Sequence, residues 1–182
     1  MSAQATVLER VTLDTRPATA RIGAEIHGVT LSGQLEPARV AAIRQALIRY
    51  KVLSFRGQHH LDEAGHEAFG RLLGELVPHP TVPSLSGTSF ILDIDGSHGG
   101  DRASSWHTDV TFVDTPPEIS ILRGVVVPDA GGDAVWANTA IAYADLPPIL
   151  RELADKLWAV HSNDYDYAAS RPNARPEDPA PP

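Results

Sequence analysis

Apolar residues recur along this chain with two different periods, and the switches between them mark out the elements. Residues 20–31 read as an edge hairpin or short strands, with Ile22–Val29 a strand pair containing a turn. From Pro37 the period changes. Val40, Ile43, Leu47 and Tyr50 fall at three- and four-residue steps, which predicts a helix with proline in its first turn. Val52–Phe55 is a short apolar run closed by Gly57 and predicts a buried strand. Asp62 then stands where an N-cap belongs, ahead of a stripe of Phe69, Leu72, Leu73 and Leu76. Ser89–Ile94 predicts a strand, Asp95–Ser105 a polar glycine-rich loop, and Trp106–Phe112 the next strand. Thr115-Pro116-Pro117 breaks the chain before the β-branched run Ile119–Val127, which predicts a further strand. Ala130–Asp133 is a turn leading into Val135-Trp136-Ala137. Ile149, Leu150, Leu153 and Leu157 mark an amphipathic helix entered through Pro147-Pro148.

The sum is α+β: helices flanking a β-rich core whose strands are too few to complete a sandwich. A length of 182 residues suits one domain with a real core, expected over residues 1–169. Residues 170–182 hold five prolines and almost nothing apolar, and are expected to be a disordered tail. An unfinished sheet leaves pairing edges open, which points to association with a second copy as a homo-oligomer, or to poor solubility.

Charge and cysteine content narrow the function classes. The formal net charge is −8 with the basic residues dispersed, so nucleic acid is not an expected partner. No apolar run reaches membrane-spanning length and no leader pattern opens the chain, so a cytoplasmic location away from any membrane is expected. The absence of cysteine rules out disulfides, thiolate metal sites and Cys nucleophiles.

Histidine carries the candidate chemistry. The pattern His-x-Asp occurs twice among residues that include eight histidines, at His60/Asp62 and His107/Asp109. Asp62 has a capping role available to it. His107 and Asp109 lie in a run of strand formers, where residues two apart share a face. An imidazole and a carboxylate on one face are two members of a 2-His-1-carboxylate facial triad for non-heme Fe(II). They are equally compatible with a surface strand whose His and Asp merely hydrogen-bond.

The ordered set Trp106-His107-Thr108-Asp109-Val110-Thr111-Phe112, Pro116-Pro117, Gly131-Gly132-Asp133 and Trp136-Ala137-Asn138-Thr139 resembles the signature of the TauD/TfdA family. The similarity extends to Ile22-Gly23-Ala24, Val52–Gln58, Phe69–Pro80 and Leu157–Tyr167, and its flavour is that of the taurine dioxygenase and alkylsulfatase branch. The resemblance implies an Fe(II)- and 2-oxoglutarate-dependent dioxygenase on a double-stranded β-helix, or jelly-roll, here in incomplete form. It implies O₂ and a small-molecule sulfonate, sulfate ester or related acid as partners. Hydroxylation beside the sulfur-bearing group then releases sulfite or sulfate and an aldehyde.

Carried over residue by residue, the resemblance makes His107 and Asp109 metal ligands and His79 a donor to the substrate anion, although His79 reads equally well as a loop histidine between Pro78 and Pro80. Val110 and Phe112 become apolar pocket wall. Ala134 stands where the family offers 2-oxoglutarate a threonine hydroxyl. Val82 and Ala103 replace polar taurine contacts, so a more apolar sulfate ester fits better than taurine. The family's distal iron-ligating histidine and its 2-oxoglutarate-pairing arginine lie further along than the motifs found here. His161 aligns with a non-ligand histidine, and Arg171 and Arg175 do not match the arginine motif. The competing expectation is therefore a truncated, catalytically incompetent family member. A zinc hydrolase is disfavoured because no Glu base or further His is suitably placed.

Overall fold

In the computed structural model, which describes residues 11–95 and 106–162, strand β2 (Ala24–His27) buries Ala24 and Ile26 and turns Glu25 and His27 to its wetter face. Its partner is β1 (Asp14–Pro17), antiparallel, with Asp14 opposite His27 and Pro17 opposite Ala24. The expected strand pair within Ile22–Val29 is thus corrected to one strand paired with residues upstream. The turn between β1 and β2 explains why. Thr19 Oγ1 accepts the N–H groups of Arg21 and Ile22, and Gly23 reverses the chain at φ 86°.

Helix α1 (Pro37–Tyr50) crosses from β2 to β3 (Leu53–Ser54), which lies parallel to β2. The sheet order β1-β2-β3 follows from this short crossover. Pro37 starts α1, and Ile43 from its stripe is 1% exposed. Helix α2 (Glu63–Leu73) starts where expected: Asp62 accepts the Gly65 N–H at 2.7 Å, and Phe69 and Leu73 are buried. Arg44 of α1 donates to the Leu73 carbonyl at the end of α2. A Cβ on Gly33 would stand 2.5 Å from Ala68 Cβ, so glycine at 33 is what lets that loop meet α2. Ala24, Ile26, Val29, Leu31, Ile43, Leu61, Phe69 and Leu73 make the core of the described residues.

Two short helices complete this part of the chain. Asn138 caps α3 (Thr139–Ala144) and donates to the Arg21 carbonyl, while Arg21 pairs with Asp145. Helix α4 (Pro148–Ala154) starts at Pro148 but stops before Leu157, shorter than its apolar spacing predicts. Its stripe of Ile149, Leu150 and Leu153 is exposed.

The chain divides into two compact units, Met1–Leu76 with Arg123–Asp155 and Val77–Leu122 with Lys156–Pro182. Everything above belongs to the first. Among the described residues the second contains no helix or strand.

Three expected strands are corrected on this evidence. Ser89–Ile94, Trp106–Phe112 and Ile119–Val127 are loop or turn. A strand is stable only when its N–H and C=O groups find a neighbouring ladder, and the described ladder ends at β3. Val126, in the most β-branched run, is 90% exposed. The described residues therefore make an α+β arrangement of a three-stranded sheet and helices. No helix among them is long and apolar enough to cross a membrane. Most of the glycine-rich loop, with His98 and Ala103, lies outside the described residues, as does the expected tail at 170–182.

Candidate metal centre

His107 and Asp109 meet on a segment that lies outside any strand. The chain then turns over residues 109–112, and Val110 adopts φ 53°, the left-handed region that a β-branched residue avoids. Such a conformation costs about 1–2 kcal/mol and persists only where neighbours enforce it. On the next residue, Thr111 Oγ1 lies 2.8 Å from His161 Nδ1. Ahead of Val110, His107 Nε2 stands 3.3 Å from Asp109 Oδ1, with side chains 39% and 53% exposed.

That separation can be set against what a metal requires. Two donors about 2.1 Å from one ion stand about 3.0 Å apart at a right angle and about 3.4 Å apart at the tetrahedral angle. The observed 3.3 Å falls between these values. The donors, one imidazole nitrogen and one carboxylate oxygen, are of the kind that suits Fe(II). Asp109's other oxygen, Oδ2, accepts from Ser120 Oγ at 2.8 Å. Among the described residues no group of three or more His, Cys, Asp or Glu is placed to hold a metal. The pair fits two adjacent positions on such an ion.

His79 belongs to the same unit. Its Nδ1 accepts the backbone N–H groups of Val82 at 3.1 Å and Thr81 at 3.3 Å, so the proton of the neutral ring sits on Nε2. Burial pushes its pKa below the usual 6.5, and the negative charge of Asp109 partly opposes that shift. A depressed imidazole pKa contributes stability that is complete above pH 6.5. It is lost as the pH falls from there through the lower folded-state value. In a proton NMR titration the His79 ring will therefore titrate below 6.5, and Asp109→Asn will move its midpoint lower still. A midpoint above 6.5, or an upward move in the variant, contradicts this placement.

The remaining sequence candidates fall as follows. Val110 and Phe112 are half-buried in the same unit as His107. Ala134 is exposed in the other unit, just past Gly131 and Gly132, both at positive φ as the expected turn requires. Its methyl group makes no hydrogen bond. The second His-x-Asp has structural work: His60 Nε2 lies 2.8 Å from the Leu31 carbonyl oxygen while Asp62 caps α2. His27 pairs with Glu25 at 3.0 Å. Sequence reasoning missed Ser120 and Thr111, because a hydroxyl inside an apparent strand carries no spacing signal.

A paired imidazole and carboxylate at this separation make a candidate divalent-metal face. Residues 14–182 match the model described as "Taurine catabolism dioxygenase TauD, TfdA family", and the chain belongs to this family. It is 59% identical over 175 residues to an alpha-ketoglutarate-dependent sulfate ester dioxygenase of Pseudomonas putida, covering 96% of this chain and 58% of the relative. It is 54% identical over 165 residues to an alkylsulfatase of Acinetobacter baylyi, covering 91% and 52%. A crystal structure of a taurine dioxygenase from Burkholderia xenovorans superposes with a TM-score of 0.70 at 42% identity, covering 80% of this chain and 52% of that one. The chain thus spans a little over half the length of these relatives.

Proposed function

We propose that this chain carries the first two metal ligands of an Fe(II)- and 2-oxoglutarate-dependent dioxygenase acting on a small sulfate ester, sulfonate or related acid. The observation that carries the reading is the 3.3 Å approach of His107 Nε2 to Asp109 Oδ1. The similarity to a sulfate ester dioxygenase and an alkylsulfatase supports the substrate class. The surrounding architecture proposed here is the double-stranded β-helix of the family, in a cytoplasmic protein.

His107 and Asp109 would hold Fe(II) through Nε2 and Oδ1. The chemistry that Fe(II) and 2-oxoglutarate would supply there is O₂-dependent hydroxylation of the substrate carbon beside the sulfate. The protein's part is orientation and exclusion of water. His79 presents an Nε2–H donor to the substrate's anionic group, fixed in that tautomer by the Thr81 and Val82 amides. Val110 and Phe112 form apolar wall. Ala134 cannot give 2-oxoglutarate a hydroxyl, and the loss of one such charge-assisted bond is worth about 1.5–3 kcal/mol.

A second reading is favoured by one observation: only two protein ligands converge among the described residues. On that reading the chain is a family member that does not turn over alone. Succinate release from 2-oxoglutarate, measured with Fe(II), O₂ and a medium-chain alkyl sulfate, separates the two. Sulfate release coupled to succinate supports the dioxygenase. Metal binding without either product supports the incompetent form, and the absence of both sinks the metal assignment.

A further inference from the structure

We infer that Ser120 is a positioning residue for the metal centre, selecting which oxygen of Asp109 faces the ion; the inference rests on the reading of His107 and Asp109 as ligands. A carboxylate on a half-exposed side chain turns readily about its last torsion, which is broad and two-fold. Left alone, Asp109 would present either oxygen to His107 and would sample orientations that present neither. Ser120 removes this freedom. An ionised carboxylate only accepts hydrogen bonds, so the 2.8 Å contact is Ser120 Oγ–H donating to Oδ2. With Oδ2 engaged, Oδ1 is the oxygen left at 3.3 Å from His107 Nε2.

The donor's loop begins at Pro116-Pro117, three residues before Ser120, where each proline fixes its own φ and restricts the residue before it. The contact spans eleven residues of sequence and closes the stretch of chain that begins at Asp109. The arrangement is a ligating carboxylate steadied by a neutral hydroxyl, which leaves the carboxylate's charge for the metal. Partners of this outer kind contribute about 10–100-fold to metal affinity. Ser120 and Asp109 are both exposed to solvent, which puts the expected effect near the lower end, about tenfold.

The test is calorimetric titration of the full chain with Co(II), a divalent ion above Fe(II) in the affinity order for nitrogen and oxygen sites. Four proteins are compared: the parent chain, His107→Ala, Ser120→Ala and Ser120→Thr. The expected result is loss of binding in His107→Ala, about tenfold weaker binding in Ser120→Ala, and affinity near the parent in Ser120→Thr, which keeps the hydroxyl. Thermal unfolding followed by circular dichroism should be the same for the parent and both Ser120 variants. If His107→Ala loses the metal while Ser120→Ala binds as the parent does, the positioning role is wrong and the ligand pair stands. If both Ser120 variants weaken binding and lower the melting temperature together, Ser120 is merely structural and the inference fails. If the parent chain takes up no Co(II), the ligand reading fails and this inference with it.

Discussion

Asp109→Ala will lower the affinity of the chain for Fe(II) or Co(II) by more than about 100-fold, because losing a ligand must exceed the 10–100-fold effect of losing an outer partner. That factor corresponds to more than about 2.7 kcal/mol of binding free energy. Asp109 is one of the two donors proposed for the face, and its removal leaves the ion to the His107 imidazole, 39% exposed to competing water. The carboxylate also supplies the only negative charge in the pair. Asp109→Asn is the sharper variant, since it keeps shape and one carbonyl oxygen while removing that charge. It should lose most of the affinity that alanine loses. Neither change should disturb the fold, since Asp109 is half-exposed and its hydrogen bond goes to an exposed serine. Calorimetry with Co(II) measures the first claim and circular dichroism the second. Affinity within threefold of the parent in Asp109→Ala would remove Asp109 from the ligand set.

The approach of His107 to Asp109 was legible in their spacing, but the strand expected to carry them did not form. Residues two apart can meet on one face without belonging to a strand. Spacing alone does not distinguish the two cases. Context did separate the two His-x-Asp copies: Asp62 caps α2 and His60 binds a backbone carbonyl, as a helix-start position suggests. Ser120 was not legible, because its role depends on a loop closing over eleven residues rather than on any local pattern.

The same distinction runs through the fold. Helices α1 and α2 were read correctly because their signals are local: Pro37 in a first turn, Asp62 as a cap, apolar residues three and four apart. Strands failed because a strand's stability is decided by a partner elsewhere in the chain. Ala24–His27 found its partner at Asp14–Pro17, outside the expected hairpin. Val125-Val126-Val127 has the composition of a buried strand, but those residues are exposed and no ladder reaches them among the described residues. Residue type records a preference for the pleated surface, and the surface itself must be supplied by tertiary structure.

Phe69→Ala should cost the first unit about 3–5 kcal/mol, the range for deleting a buried aromatic side chain. Phe69 is 3% exposed on α2, in a core that also holds Leu61 from the preceding loop and Leu73 one turn on. All eight buried apolar side chains of the described residues lie between Ala24 and Leu73, so no second cluster there shares the load. Domains of this size are stable by only about 5–15 kcal/mol in total, and a loss of this magnitude removes a large fraction of that. The melting temperature should fall by more than about 10 °C, since 1 kcal/mol shifts it about 4–8 °C in units of 60–100 residues. Leu153→Ala on α4 is the control. Leu153 occupies the same kind of position in an apolar stripe but is 54% exposed, so its truncation should change stability by less than about 0.5 kcal/mol. The two stripes are alike in sequence and differ only in what covers them. Equal losses from both substitutions, measured by thermal melts followed at the helical circular-dichroism signal, would mean that α4 is packed and that the core extends beyond α1, α2 and the sheet.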